Sequence, residues 1–127
     1  MGRSKRRFYN RRKRKEIQYM QRIATLRIEY LCRTASAILT EQPERANRYI
    51  SLARKIAMST KTPLPSKYKN WICHGCKRLL RPGFNARVRL QPRKGQGSHR
   101  VLHCYDCGHI TRHYYKTKKP VEENHVE

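Results

Sequence analysis

Acidic residues are scarce in this 127-residue chain, which has 8 Asp and Glu against 31 Lys and Arg and a formal net charge of +23. Asp106 is its one aspartate, and the glutamates are scattered over predicted helices and the C-terminal end. A metal-dependent nuclease holds its catalytic ions with clustered carboxylates. The sequence therefore predicts that the isolated chain cleaves nothing.

Long apolar runs are also missing. No stretch of about 18 apolar residues occurs, and no apolar signal segment follows the basic start. We therefore expect a soluble, cytoplasmic protein without a membrane partner. A charge of this size opposes compaction unless an anion neutralises it. Nucleic acid fits best, because phosphate contacts release condensed counterions, and an anionic membrane surface is the alternative.

Two C-x-x-C pairs, Cys73-His74-Gly75-Cys76 and Cys104-Tyr105-Asp106-Cys107, carry the clearest chemical signal. Two such turns facing each other supply four thiolates in a tetrahedron, the arrangement that structural zinc prefers. The sequence predicts one structural Zn²⁺ held by Cys73, Cys76, Cys104 and Cys107. The alternative is that a nearby histidine replaces one thiolate. Cys32, the fifth cysteine, is better explained as a small packed residue than as a fifth metal ligand.

Helical periodicity runs from Glu16 to about Leu39, and a second helix is predicted to start at Pro43. The apolar arc of the first helix is too wide for one short neighbour to cover. We expect a second protein to cover the surplus, and the alternative is that the C-terminal module of the same molecule does so. The residues predicted to face the partner are Ile17, Met20, Ile23, Leu26, Tyr30, Leu31 and Tyr49.

The predicted fold class is small α+β, an N-terminal helical hairpin followed by a C-terminal zinc ribbon of about three antiparallel strands. Alternation from Phe84 to Leu90 gives one strand an apolar face and a basic face. The predicted segments are a basic disordered arm (1–15), the hairpin (16–58), a linker (59–69), the ribbon (70–119) and an acidic tail (120–127).

Basic residues cluster in the arm and around the ribbon, which favours binding to a folded phosphate backbone. Trp71, Phe84, Tyr105, Tyr114 and Tyr115 could stack on unpaired bases, although Trp71 and Phe84 are the best candidates for the core. The predicted RNA-binding cations are Arg6, Arg7, Arg11, Arg12, Lys77, Arg78, Arg81, Arg87, Arg89, Arg93, Lys94, Arg100 and Arg112.

Residues 71–90 (WICHGCKRLLRPGFNARVRL) and 103–115 (HCYDCGHITRHYY) together resemble protein component 4 of archaeal ribonuclease P. Relatives of that family are small subunits of the nuclear ribonuclease P and MRP complexes. The C-x-x-C pairs are shared with many zinc ribbons. The string CKxLLxPGxNxRVR, from Cys76 to Arg89, is much more specific.

The resemblance implies a non-catalytic subunit that supports the catalytic RNA of ribonuclease P in removing 5′ leaders from precursor tRNA. It implies a heterodimer with ribonuclease P protein component 1, and contact with ribonuclease P RNA, the other proteins of the complex and precursor tRNA. It adds Asn85 to the RNA-binding set, beside Arg81, Arg87, Arg89 and Arg112. The alternative function is a ribosomal or transcription-associated zinc ribbon that binds nucleic acid.

Overall fold

The computed structural model describes residues 2–93 and 97–115, with side chains for 7–92 and 97–115. Three helices precede a three-stranded antiparallel sheet of order β1-β2-β3, and four cysteines cluster in the C-terminal part. The predicted fold class is therefore confirmed. The elements are α1 (Gly2–Ile38), α2 (Pro43–Thr60), α3 (Ser66–Lys69), β1 (Ala86–Arg93), β2 (Gly97–Cys104) and β3 (Ile110–Tyr114).

The hairpin of α1 and α2 is held together by one apolar stripe from each helix. Ile28 and Cys32 of α1 are fully buried, as are Ile50 and Ala53 of α2. The small side chains of Cys32 and Ala53 let the two helices approach closely, so the larger Ile28 and Ile50 pack tightly between them. Pro43 occupies the first turn of α2, where its missing N–H costs nothing. Cys32 is thus a packed residue, as predicted.

The basic start of the chain differs from its prediction. Residues 1–15 were expected to be a separate disordered arm, whereas α1 already begins at Gly2. Lys and Arg are good helix formers, and adding residues to an existing helix avoids the cost of nucleation. Gln21 Nε2 donates to Thr60 O at the end of α2 (3.4 Å). The part of α1 before Gln21 therefore extends past α2 by roughly 28 Å, at about 1.5 Å per residue.

The predicted linker at 59–69 is also partly structured. α2 continues to Thr60, Lys61 ends it in the left-handed conformation, and α3 forms a single turn from Ser66 to Lys69. Tyr68 of α3 is buried in the helical core. The segment was predicted as a connection because its two prolines interrupt any helical period. The predicted acidic tail at 120–127, like residues 116–119 of the predicted ribbon, lies outside the described residues.

The ribbon (residues 71–115) has its own small core next to that of the hairpin. Cys73, Leu80, Ala86, Leu102 and Cys104 form this second cluster. Ile72 and Leu79 belong instead to the helical core, and Trp71 packs against both clusters. The ribbon thus covers one end of the hairpin. It leaves the opposite side of α1 exposed, where Tyr19, Ile23, Leu26 and Tyr30 form what we call the exposed helix stripe.

Truncating a side chain should have a large effect on stability on the buried side of α1 and a small effect on its exposed side. Ile28→Ala should lower the free energy of unfolding by about 2–5 kcal/mol, because it opens a cavity in a closed core. Leu26→Ala, on the exposed helix stripe, should change it by less than about 0.5 kcal/mol. Urea denaturation followed by circular dichroism measures both variants. Equal destabilisation would contradict the packing described above.

Candidate metal centre and basic sheet face

Four sulfur atoms meet at one end of the sheet. The Sγ atoms of Cys73, Cys76, Cys104 and Cys107 all lie within 4.8 Å of one another. Cys73 Sγ is 3.4 Å from Cys107 Sγ, and Cys76 Sγ is 3.7 Å from Cys104 Sγ. These distances are much longer than the roughly 2.05 Å of a disulfide bond. The four cysteines could therefore hold a metal ion, as the sequence predicted.

The two C-x-x-C turns are built in the same way. After each second cysteine comes a residue with positive φ, Lys77 (62°) in the first turn and Gly108 (72°) in the second. Lys77 N donates to Cys73 O (3.1 Å), and Gly108 N donates to Cys104 O (3.0 Å). Glycine adopts this conformation without strain, whereas no residue type in the first turn indicates a positive φ at Lys77.

Protonation of the thiols depends strongly on their position. Burial raises the pKa of Cys104 to about 12 and also raises the pKa of Cys76. The pKa of Cys107 is lowered to about 7, first because of the backbone hydrogen bond from His109. A metal ligand must be a thiolate. A cation in the site would therefore replace protons that the buried thiols otherwise retain.

Histidine was the alternative ligand type. The His74 and His109 rings lie parallel to each other beside the centre, with centroids 6.3 Å apart. Among the described residues, however, the group at ligand distance consists of the four cysteines alone. A complete set of four thiolates leaves no position for a water molecule, which is the pattern of a structural site.

One face of the sheet carries three exposed guanidinium groups. Strand register places Arg87 beside His103, and Arg89 beside Val101, which in turn pairs with Arg112. No carboxylate is among the side chains that line this shallow groove of about 350 Å³. We call it the basic sheet face, and its residues are Arg87, Arg89, Gln91, Val101, His103, Ile110 and Arg112.

Arg100 lies on the opposite face of the sheet. It pairs with Leu90 and His113, and its guanidinium carbon is 4.4 Å from the centroid of the Trp71 ring. A cation at this distance from an indole is attracted to the ring face. Burial lowers the pKa of the neighbouring His113, and the charge of Arg100 lowers it further. Arg100 is thus separated from the three arginines with which it was grouped.

Asn85 was assigned to RNA binding by the resemblance, yet its amide is used within the chain. Its Oδ1 accepts from Arg81 N (2.7 Å), and its Nδ2 donates to Leu79 O (2.9 Å). Gly83 has a φ of 83° in the same turn. Asparagine commonly fixes turns in this way. The Pro82-Gly83-Phe84-Asn85 motif thus sets the path of the chain into β1.

The cations next to the first C-x-x-C turn are also partly engaged. Lys77 Nζ donates to His74 O (2.6 Å), and Arg78 lies 3.6 Å from Asp106 in an exposed ion pair. Arg81 is exposed at the start of the turn before β1. The pair of Arg78 and Asp106 connects the two C-x-x-C turns, although an exposed pair contributes little to stability.

The other predicted contacts are found in different places. Arg7, Arg11 and Arg12 are exposed on the extended part of α1, while the side chains of Arg6, Arg93 and Lys94 lie outside the described residues. Ile17 and Met20 are exposed, like Ile23, Leu26 and Tyr30 of the exposed helix stripe. Leu31 and Tyr49 differ, because both pack against the helical core.

Phe84 was predicted to be a core residue, and this prediction is wrong. Its side chain is 46% exposed. The alternation was read from Phe84 onward, but β1 begins at Ala86, and Phe84 lies in the preceding turn. The period-two rule applies only within a strand. Trp71, the other core candidate, does pack against both cores.

The fold and the centre define a class of protein, a helical hairpin joined to a four-cysteine ribbon with an arginine-rich face. Residues 27–108 match the family model described as "RNAse P Rpr2/Rpp21/SNM1 subunit domain". The chain belongs to this family. The matched segment contains most of the hairpin and all four cysteines.

Proteins named "Ribonuclease P protein component 4" are similar over most of their length. The one from Methanopyrus kandleri is 40% identical over 85% of this chain and 84% of its own. The one from Pyrococcus furiosus is also 40% identical, over 84% and 86%. The resemblance drawn from the two cysteine-containing segments is therefore confirmed.

Solved structures give the same result. One described as "cryo-EM structure of archaeal Ribonuclease P with mature tRNA" contains a chain 38% identical to this one, with a TM-score of 0.65 over 73% of this chain and 77% of that chain. Another, described as "Pfu Rpp21 structure and assignments", is 40% identical, with a TM-score of 0.51 over 70% and 96%.

The centre predicts that each cysteine ligand is needed for metal binding. Cys73→Ser should reduce the bound metal well below one equivalent and unfold the ribbon, because three thiolates leave the site incomplete. Cys32→Ala is the matched control, since Cys32 lies in the helical core, and it should keep the metal. Elemental analysis after dialysis measures both. Full metal content in the serine variant would contradict the site.

Gly75 tests the space around the centre. A Cβ there would lie 3.1 Å from both Cys107 Sγ and His109 Cβ, so Gly75→Ala should push the second turn away and weaken metal retention against a chelator. Gly83→Ala is the control, because a Cβ at Gly83 meets nothing within 4 Å and strains only the backbone. It should cost stability, about 1 kcal/mol, without faster loss of metal. Identical chelation rates in the two variants would contradict the crowding.

Proposed function

We propose that this chain is a zinc-binding, RNA-binding protein subunit of ribonuclease P. In this role it supports the catalytic RNA in removing 5′ leaders from precursor tRNA and does not itself cleave. Membership of the family and similarity to a chain in an archaeal ribonuclease P structure with mature tRNA support this function. We propose a cytoplasmic location. No helix among the described residues is long and apolar enough to cross a membrane.

The observation that carries the RNA-binding role is the basic sheet face. Arg87 and Arg89 stand on β1 and Arg112 stands on β3, on the two sides of β2, with their guanidinium groups exposed and no carboxylate among the lining side chains. Guanidinium groups bind phosphates in pairs of parallel hydrogen bonds. Adjacent strands are about 4.8 Å apart, so β1 and β3 are about 10 Å apart, and this spacing places the arginines within reach of successive phosphates of one backbone. Arg7, Arg11 and Arg12 on α1 provide a second positive surface.

Zinc is the metal that fits the four-sulfur centre. A tetrahedron with Zn–S bonds of about 2.3 Å has its sulfur atoms about 3.8 Å apart. Two of the Sγ–Sγ distances, 3.4 and 3.7 Å, come close to this value, and all of them lie within 4.8 Å. When bound, the ion cross-links the two C-x-x-C turns. The four cysteines fix the end of the sheet that carries the arginines, so the ion has a structural role.

A second protein is the proposed occupant of the exposed helix stripe. Four large apolar side chains, Tyr19, Ile23, Leu26 and Tyr30, face solvent on one side of α1. An apolar patch of this extent is typical of a protein contact. We propose that ribonuclease P protein component 1 covers it, and that the remaining proteins, the RNA subunit and precursor tRNA are contacted only in the assembled complex.

Reconstitution tests the proposed function. Ribonuclease P RNA and the other proteins of the complex would be assembled with and without this chain, and cleavage of precursor tRNA followed in each case. Cleavage should be faster with the chain, and the chain with magnesium but without RNA subunit should give none. Specific cleavage by the chain alone, or no effect on the assembled complex, would refute the role.

The basic sheet face predicts the dependence of RNA binding on salt. Each phosphate contact makes the slope of log K against log salt more negative by about 0.7–0.9, by analogy with DNA. Arg87→Ala/Arg89→Ala should therefore reduce the magnitude of this slope for ribonuclease P RNA by about 1.5. Arg33→Ala, an exposed arginine on α1, should lower it much less. Filter binding between 50 and 400 mM salt gives these slopes, and an unchanged slope in the double variant would contradict the phosphate contacts.

The exposed helix stripe predicts a loss of partner binding without a loss of stability. Leu26→Ala should weaken the complex with component 1 at least fivefold, because Leu26 is 70% exposed in the free chain and available for contact. Leu52→Ala, a half-exposed leucine on α2, is the matched control. Isothermal titration calorimetry measures both. Equal affinities for the two variants would place the partner elsewhere.

A further inference from the structure

A cleft between the hairpin and the ribbon is separate from both the metal centre and the basic sheet face. It lies between the first turns of α2 and two loops of the ribbon, and its volume is about 570 Å³. Glu44 and Asn47 of α2 line one side, while Arg78, Phe84, Tyr105 and Asp106 line the other. We call it the aromatic cleft.

Two aromatic rings in this cleft are not used by the fold. Phe84 is 46% exposed and Tyr105 is 57% exposed, and neither belongs to the helical or the ribbon core. Exposed rings on a basic protein are typical platforms for stacking unpaired bases. Their positions are firmly set, because Tyr105 N donates to Asn85 O (2.9 Å), and Asn85 in turn holds the loop of Phe84.

Apart from Arg78, whose guanidinium is paired with Asp106 at 3.6 Å, the charged side chains of the cleft are hydrogen-bond acceptors, and the net charge of its lining is negative. Glu44 and Asp106 are two of the eight acidic residues of the whole chain, and carboxylates repel a phosphate. Asn47 Oδ1 has no hydrogen-bond partner but exposes less than 1 Å², so the Glu44 carboxylate is the acceptor that a ligand in the cleft can reach from the α2 side. Acceptors of this kind match the amino groups of bases, as carboxylates do with the amino group of cytosine. The chemistry of the cleft thus suits a base and opposes a phosphate.

The aromatic cleft also adjoins the basic sheet face. The Tyr105 ring meets the His103 ring edge to face, with centroids 5.9 Å apart and planes at 87°. His103 itself belongs to the basic sheet face. A strand whose phosphates contact Arg87 and Arg89 can therefore continue past His103 and place its next base in the cleft.

We propose that the aromatic cleft binds one unpaired nucleobase with an exocyclic amino group, stacked against Tyr105 and Phe84 and hydrogen-bonded to the Glu44 carboxylate opposite. The base belongs to the RNA strand whose backbone lies on the basic sheet face, so this inference rests on the proposed function. Adenine, cytosine and guanine qualify. Uracil, which lacks the amino group, binds less well.

Hexamers of abasic ribose phosphate with a single central base test the site. The full-length, zinc-loaded chain would be titrated with the fully abasic hexamer and with hexamers that carry adenine, cytosine or uracil, using fluorescence anisotropy. Stacking of one base is expected to tighten binding at least about fivefold. Adenine and cytosine should bind more tightly than uracil, and Glu44→Ala should reduce that preference.

Aromatic variants separate stacking from folding. Tyr105→Ala and Phe84→Ala should abolish the advantage of a base over the abasic hexamer, whereas Tyr105→Phe should retain it. Zinc content is measured for each variant, so that a damaged ribbon is recognised. The basic sheet face stays intact in all three, and the salt slope for the abasic hexamer should not change.

Two results would overturn the inference. If the abasic hexamer binds as tightly as the others, no base enters the cleft, while its salt-dependent binding would leave the proposed function standing. If Phe84→Ala weakens binding of component 1 and leaves the base dependence unchanged, the cleft is a protein contact. Absence of salt-dependent binding to every hexamer would instead refute RNA binding by the basic sheet face, and the inference with it.

Discussion

The convergence of four sulfur atoms is the constraint on which the ribbon depends. The second core has five buried residues, and two of them, Cys73 and Cys104, are themselves members of the sulfur cluster. A core this small cannot offset the conformational entropy of about 45 residues. Metal binding supplies free energy on the order of 10 kcal/mol or more in comparable units. A metal ion held by the four cysteines would therefore take the place of the core that the ribbon lacks.

Trp71 carries this rigidity from the ribbon to the helices. It contacts both cores, and Arg100 covers its ring at a distance of 4.4 Å. Ile72 and Leu79, which flank the first C-x-x-C turn, pack into the helical core. Arginines on the basic sheet face and apolar residues on the exposed helix stripe thus belong to one body. RNA bound to one surface and a protein bound to the other would be held at a fixed mutual orientation.

The sequence predicted the features that follow from short-range patterns. The candidate metal centre could be predicted from the spacing of Cys73, Cys76, Cys104 and Cys107, because the residue types of a ligand set determine which metal it can bind. The helical period of the apolar residues predicted the hairpin, and their alternation predicted β1. The turn from Pro82 to Asn85 misled the prediction, since its hydrogen bonds join residues whose pairing no period reveals. For that reason Phe84 was placed in the core, whereas the assignment of Asn85 to RNA came from the family resemblance and stays a prediction.

Side-chain direction on the sheet was likewise beyond reach from the sequence. Arg87, Arg89 and Arg100 look equivalent in a list of cations, and only the register of β1 with β2 places Arg100 on the other face. The start of α1 was missed for a different reason. Charge repulsion within nine clustered cations argues for disorder, whereas a helix already stabilised at Ile28 extends toward its own N-terminus at little cost.

The start of α1 projects from the molecule as a positively charged helix that packs against no other element of the described structure. Side chains from Arg7 to Met20 are exposed, so this rod of positive charge can fray, reform or bend without disturbing either core or the sulfur cluster. Because this charged helix projects from the protein, it attracts a polyanion at a greater distance than a flat surface does. This attraction raises the rate of diffusional encounter. The first encounter with a polyanion and the final binding contacts can then involve two different parts of one small chain. In the proposed complex, the extended part of α1 would attract the RNA first, and the rigid sheet would then bind it in one position.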